Sequence, residues 1–422
     1  MNLTIEKLVY GGEGLARLPD GKAVFVPFVL PGEEVSITLG KEKSSFARAT
    51  ADEVLKPAAT RVAPKCPYFA SCGGCHYQHM LYKSQTEFKS AILRETLLRN
   101  AKFEWKGEIK VHAAEPWNYR NRTRMKVQAG AEFALGYHRV ASHDLLPVKS
   151  CPISSPLVNR VIERVWEMGE KGGVPGGVKE IEFFADHDDA KMILEIHYVA
   201  GAQGIREFAT ELQKRVPEIK GSGLFALPQK GGALPQLKET IGTPSLQYQV
   251  GDKAFRVSVG AFFQVNRFLV RDLATTVAGD YFGKIALDLY AGVGLFAAHL
   301  AKRFEQVFAV ESSLASAADL KANAIKNVVP VKATVETFLP RSLNMNPDVV
   351  VVDPPRSGLG ARASQLLAAL RVKRLVYVAC DPATLARDVR TFLDFGYQVE
   401  QVHLLDLFPQ TFHVESVIRL VR

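Results

Sequence analysis

Hydrophobic and polar positions follow two textures along the chain, and the textures predict different folds. In the first 57 residues, strand candidates at Leu3–Leu8, Lys22–Pro27, Glu34–Leu39 and around Phe46–Val54 are short. They are broken by Gly11-Gly12, Asp20-Gly21 and Pro31-Gly32, residues that supply turn conformations. Five or so short strands in this length predict a small barrel of the OB type. A helix is predicted over about 80–100, where Phe88, Ile92, Leu93, Leu97 and Leu98 recur at helical spacing. From about 110 to 250 strands and helices mix without a repeat. Beyond 283 the texture changes to apolar blocks. Strands at Ile285–Tyr290, Val307–Glu311, Val349–Asp353 and Leu375–Ala379 alternate with helical segments at Ala315–Asn327, Ala361–Leu370 and Pro382–Phe395. That alternation predicts a parallel, doubly wound sheet. Val399–Leu407 and Val414–Val421 read as an antiparallel hairpin at its edge.

Composition narrows the picture. A chain of 422 residues predicts two or three domains, and its 47% hydrophobic content suits large cores rather than disorder. No apolar run is long enough to span a bilayer, and the N-terminus lacks signal-peptide character, so a cytoplasmic protein without a membrane partner is expected. The net charge of +9 favours a polyanionic partner. Residues 1–57 carry seven Lys or Arg against eight Asp or Glu, so the excess lies further along, apart from a local group at Lys41, Lys43 and Arg48.

Five cysteines in such a protein argue for metal or catalysis rather than disulfides. Cys66, Cys72 and Cys75 cluster around Gly73-Gly74, with Cys151 before Pro152 as a distant fourth. A structural zinc usually shows two close pairs, so three clustered thiols plus one suit a 4Fe-4S cluster better. Cys380 stands apart, at the end of a strand and the start of a helix capped by Asp381. It is either a buried inert thiol or a nucleophile that the helix N-terminus shifts toward thiolate, and the strand-end position favours the second.

Asp288-Leu-Tyr-Ala-Gly-Val-Gly294 is a glycine turn between strand and helix, where backbone can approach a ligand. Glu311 closes the next strand, positioned to accept from ribose hydroxyls, and Asp353 closes VVVVD. One strand-end acid often only caps a helix. Tyr290, Glu311, Asp353 and Cys380 together mark the carboxyl edge where open α/β sheets bind ligands. Glu415, inside an otherwise apolar strand, is a candidate base whose burial would raise its pKa; the alternative is an outward strand residue. Arg120, Arg122, Arg124 and Lys126 alternate, so a strand would present them on one face. Such a row is a solvated face or a phosphate-binding strip, and mutual repulsion tips the reading toward the strip. Phe262 and Phe263 either stack on an extruded base or belong to the core.

Nearly the whole chain resembles the RNA uracil-5-methyltransferases, in particular their iron–sulfur ribosomal RNA branch. The resemblance rests on the N-terminal barrel, similar to a TRAM domain, and on CPYFASCGGC with Cys151, YRNRTRMKV, GAFFQVN, DLYAGVG, VVDPPRSGL, CDPATLARD and FPQTFHVES. It implies a multi-domain α/β protein. Residues 1–58 would form the TRAM barrel and bind RNA. Residues 59–255 would form a mixed α+β central domain with the cysteine loop and RNA-binding strand. Residues 256–422 would form a Rossmann-like class I methyltransferase domain, with the helical region near 80–110 packing on it. It further implies S-adenosylmethionine bound by Gln264, Tyr290, Glu311 and Asp353, and a 4Fe-4S cluster held by Cys66, Cys72, Cys75 and Cys151. Cys380 would be the nucleophile and Glu415 the proton acceptor in methylating C5 of a uridine. Addition of a thiolate at C6 makes C5 enolate-like, and a base then removes the C5 proton so that the thiol leaves. The expected partner is structured RNA, large-subunit ribosomal RNA first, with no obligate protein partner. Transfer RNA, or a non-catalytic RNA-binding or assembly role, is the alternative. Two positions depart from many relatives: Asp381 stands where Asn is common, and Leu295 replaces a polar residue of the cofactor loop.

Overall fold

The computed structural model describes residues 1–130, 132–228 and 234–422. Three large sheets and one separate hairpin organise them. Residues 2–56 form a curled six-stranded sheet. The expected strand Leu3–Leu8 is two pieces, Asn2–Thr4 and Lys7–Leu8, at opposite ends of the strand order. The first pairs with Glu34–Ser36 and the second with Gly14–Leu15. Between them the Ile5 amide donates to Glu33 O and the Glu6 amide to Leu15 O. The chain thereby changes partners in mid-run, which curls the sheet around Val24, Val26, Val35, Ile37, Ala47 and Ala49. A strand at Glu13–Arg17 is additional to the expectation; Gly14 interrupts its pattern because a side chain there would strike Val29 and Ile5.

The central sheet has seven strands, with Arg122–Gln128 and Val178–Ala185 adjacent in it. Helices Pro156–Glu170 and Ile205–Arg215 contribute to the core on one face, into which Met125 and Val127 point.

The third sheet has eight strands. Val328–Lys332, Phe304–Glu311, Gly283–Leu289, Val349–Val352 and Arg374–Ala379 run parallel in that order. Glu415–Val421 then lies antiparallel between Arg374–Ala379 and Gln398–Leu405. The hairpin expected at the edge is therefore internal. The edge is Ile109–His112, parallel to Gln398–Leu405 and drawn from far upstream. The helix Tyr82–Ala101 precedes that strand, and Leu93, Leu97 and Ala101 share one buried cluster with Leu385, Ala386, Val389 and Phe392 of helix Pro382–Asp394. Residues 82–112 thus belong to the third sheet's body, and the chain leaves it to build the central domain before returning. The separate hairpin, Ser245–Val250 with Lys253–Ser258, also packs into the core of that body. Among the described residues no helix is long and apolar enough to cross a membrane.

Candidate active site

The antiparallel register of two strands creates the centre of the site. Ala379 is paired with Ser416, whose hydroxyl donates to Ala379 O, so the next positions, Cys380 and Glu415, face each other across the two strand ends. Asp353 follows the parallel neighbour Val349–Val352. Apolar strands bring the two carboxyls and the thiol to one place, with Glu415 buried and Asp353 and Cys380 half-buried. Burial, with Asp353 adding to it, holds the Glu415 carboxyl well above the usual carboxylate range, while Arg356 pulls the other way. Burial alone pushes Asp353 up to about 7. Among the described residues neither carboxyl forms an ion pair with Arg356 or any other cation, so no paired charge offsets the effect of burial.

The Cys380 thiol departs from the expectation that the helix N-terminus lowers it. Burial pushes it up to about 12, Glu415 adds to the rise, and Arg356 only partly opposes it. The helix Pro382–Asp394 has little left to offer the sulfur. Asp381 accepts from the Ala383 and Thr384 amides through one oxygen, and Pro382 has no amide to give. The resting thiol is therefore protonated.

The glycine turn lies alongside. Tyr290, Gly292 and Gly294 all take positive φ, of 63°, 55° and 95°. For Tyr290 this is a strained conformation, of the kind that clusters at ligand sites. Open space lies where a Gly292 side chain would stand. Glu311 ties the turn to the next strand, accepting from the Gly292 amide at 2.9 Å and from the Ser312 and Ser313 amides at 2.7 Å. Gln264, Tyr290, Gly292 and Asp353 line one pocket with Phe262, while Glu311 borders it through Gly292. Asp288, which starts the glycine motif, lies one residue inside the end of strand Gly283–Leu289 and is fully buried. Burial pushes it up to about 8, and Asp353 and Glu311 add to the rise against the Ala297 amide hydrogen bond. Its second oxygen is buried without a partner. An open cradle beside carboxyls whose pKa values burial raises suits a cationic ligand, whose charge would favour their ionised forms.

Phe263 touches the wall of this pocket but is not a free stacking surface. It is buried, with its ring 4.6 Å from that of Tyr248 and further contacts to Phe184 and Phe255. Its neighbour Phe262 is 60% exposed at the pocket mouth. The two alternate as extended backbone requires, one to the core and one to solvent.

The basic row is also corrected. Arg122, Arg124 and Lys126 do share a face, but Glu180 and Glu182 of the adjacent strand and Glu195 of the next one, Met192–Val199, occupy the same face. Arg122 donates to Glu182 at 2.5 Å and to Glu195 at 3.2 Å, Arg124 to Glu182 at 2.7 Å, and Lys126 pairs with Glu180. The repulsion that favoured a phosphate strip is already neutralised within the sheet. Arg120 lies off this strand, bridged to Ser154 and Asn266.

Arg120 instead lines a cavity of about 240 Å³ together with Cys66, Cys72, Cys75 and Cys151. All four thiols are free. Burial pushes Cys72 up to about 11 and Cys75 to about 12, and the neighbouring cysteines add to both. Among the described residues no three His, Cys, Asp or Glu side chains are grouped to hold a metal ion. The thiols stand around a space rather than closing on a point.

Comparison with known proteins follows the same outline. The family model for tRNA (uracil-5-)-methyltransferase matches residues 81–422, and that for the TRAM domain matches residues 1–51. An RNA methyltransferase of Aquifex aeolicus is 32% identical, covering 100% of this chain and 98% of its own. A 23S rRNA (uracil(1939)-C(5))-methyltransferase of Halomonas elongata is 31% identical, covering 99% of this chain and 89% of its own. The crystal structure of a Pyrococcus abyssi tRNA (uracil-54, C5)-methyltransferase in complex with S-adenosyl-L-homocysteine superposes with a TM-score of 0.78 over 100% of both chains, at 23% identity.

Proposed function

The chain belongs to the RNA uracil-5-methyltransferase family and is an S-adenosylmethionine-dependent RNA methyltransferase with an N-terminal TRAM domain; from that premise we propose that it methylates C5 of a uridine in 23S ribosomal RNA through a covalent Cys380 adduct. The observation that carries the mechanism is the facing of Cys380 and Glu415 across the last strand pair, beside Asp353. Cys380 loses its proton to solvent and its sulfur bonds to C6, the C5–C6 π electrons moving onto C5 and the adjacent carbonyl. C5 then takes the methyl group as the methyl–sulfur bond of the donor breaks, releasing S-adenosylhomocysteine. Glu415, ionised once the donor's positive charge is bound, accepts the C5 proton as the Cys380–C6 bond breaks, the sulfur leaves as thiolate and the C5–C6 double bond returns. Gln264, Tyr290, Glu311 and Asp353 hold the donor, whose sulfonium charge lowers the proton affinity of the buried acids around it. Phe262 rather than Phe263 is the aromatic able to stack on the flipped base.

The four cavity thiols fit a 4Fe-4S cluster, since free thiols, Cys75 buried and the other three half-buried, ring a common space where protons could exchange for iron. In this reading the cluster is structural, holding the segment 66–75 to residue 151. Iron and sulfide analysis of anaerobically purified protein tests it: absence of both in folded protein would refute the assignment.

The ribosomal substrate is supported by the Halomonas elongata relative, because the Pyrococcus abyssi structure is similar in fold at lower identity. Mass spectrometry of ribosomal and transfer RNA incubated with the protein and labelled donor tests substrate and chemistry together. Label as 5-methyluridine in a ribosomal fragment is expected. Label confined to transfer RNA would overturn the substrate while keeping the chemistry.

A further inference from the structure

The N-terminal barrel reaches the reacting centre. The turn between its strands Lys7–Leu8 and Glu13–Arg17 closes with the Gly12 amide donating to Val9 O, and Gly11 and Gly12 both take positive φ. This turn extends Tyr10 away from the barrel. The Tyr10 hydroxyl donates to Asp381 Oδ2 at 3.1 Å, across 371 positions of sequence. Asp381 immediately follows Cys380 and caps the helix Pro382–Asp394 with its other oxygen. One carboxylate therefore joins barrel, nucleophile and helix.

The turn is held in place rather than resting on the surface. The Tyr10 ring meets Phe412 edge-on at 5.4 Å, and Phe412 also packs against His76 at 4.6 Å. A side chain at position 12 would press on His76 at 3.0 Å, so Gly12 is what lets the turn come this close. Phe412 belongs to the loop that delivers Glu415. Lys7 of the same hairpin pairs with Glu95 on the helix Tyr82–Ala101 at 2.5 Å. The phenol also lies within electrostatic reach of the Cys380 sulfur and of Arg356.

We propose that Tyr10 is a positioning residue of the methyl-transfer site, contributed by the TRAM barrel, which fixes Asp381 and through it the orientation of Cys380 toward the base. The barrel then completes the active site as well as facing RNA. The proposal rests on Cys380 being the nucleophile. Removing the hydroxyl leaves the ring packing on Phe412 but frees one oxygen of Asp381, so it should affect the chemical step more than folding.

The test uses the full chain with its natural cofactors and a ribosomal RNA fragment under single-turnover conditions. Tyr10→Phe is expected to slow methyl transfer about tenfold, the loss of one hydrogen bond to a charged group. The KM for RNA and the melting temperature should stay close to the unaltered protein's. Asp381→Ser keeps a helix-capping oxygen but removes the acceptor that Tyr10 uses. In that background Tyr10→Phe should cost nothing further. An unchanged rate in Tyr10→Phe, a change confined to the KM for RNA, or an equal loss in both backgrounds would each overturn the proposal. Cys380→Ala is the separate control: if it stayed active, the nucleophile assignment would fall, whatever Tyr10→Phe did.

Discussion

Two groups of ionisable side chains lie on neighbouring sheets of this protein and have opposite fates. On the central sheet, Arg122, Arg124 and Lys126 meet Glu180, Glu182 and Glu195, and every charge in the set has a partner. At the carboxyl edge of the methyltransferase sheet, buried Glu415 and Asp288 and half-buried Cys380 and Asp353 gather with no ion pair among the described residues. The first group looked functional in the sequence because its own strand shows only cations. The second is poised to change protonation because burial raises its pKa values and no fixed cation restores them. Satisfied charge holds a sheet together; buried acids without fixed counter-charge can respond to a ligand.

The comparison breaks most visibly at the unpaired group. Cys380→Ala should reduce methylation by about a thousandfold or more, read as label in RNA, because the other four cysteines line a different cavity. Glu415→Gln should lower turnover by about a hundredfold to ten-thousandfold, the range for a general base. In that variant the covalent RNA–protein adduct should accumulate on a denaturing gel, since proton removal precedes release. Normal turnover without adduct would exclude Glu415 as the base.

At the paired group the expected loss is in stability. Glu182→Ala leaves Arg122 and Arg124 short of their shared partner where side-chain exposure is only 13% and 9% for Arg122 and Glu182. Breaking such a pair costs about 3–5 kcal/mol. Denaturant unfolding should show this, while methyl transfer by the folded fraction survives; a selective loss of the chemical step would put these residues in the site.

The pH dependence of stability sharpens the contrast further. Asp288 and Asp353 are raised to about 8 and about 7, above their unfolded value of 3.8, so the folded state binds more protons than the unfolded one between those limits. Stability contributed by these groups is therefore present at low pH and is lost as pH rises toward 8. The melting temperature of the ligand-free protein should carry this downward contribution, and Asp288→Asn should flatten it. A slope identical in Asp288→Asn would mean that Asp288 is ionised in the resting fold.

The smallest effect is expected at the outer end of the basic row. Lys126 and Glu180 are partly exposed, and Lys126→Gln should change stability by less than about 1 kcal/mol. If Lys126→Gln instead weakened RNA binding strongly at low salt, a phosphate role for this strand would return.

The layout of the candidate residues along the elements is legible in the chain itself. A strand ending in Cys380 and opening a helix at Pro382, the glycine turn after Asp288, and Glu311 and Asp353 at strand ends follow from local pattern. Strand-to-helix transitions leave a mark within ten residues of chain. The cysteine spacing likewise marked four thiols that the fold brings to one cavity. Where the reading failed, the deciding partner lay on another strand. Period-two spacing put Arg122, Arg124 and Lys126 on one face, but only the register with Val178–Ala185 supplied the carboxylates opposite them. The same alternation left open which of Phe262 and Phe263 faces the core. The Cys380 pKa followed burial and Glu415, neither visible in the run around residue 380.

The sequence by itself determined the elements, their order and the residue types at each strand end, because φ/ψ preference and hydrophobic period act over a few residues. Tertiary structure alone decided what those ends meet. It inserted Glu415–Val421 beside Arg374–Ala379, recruited Ile109–His112 to the far edge, and brought Tyr10 to Asp381. Pairing across strands and domains depends on shape and register summed over the whole chain. Proton affinity then follows from the burial and neighbours that this packing creates.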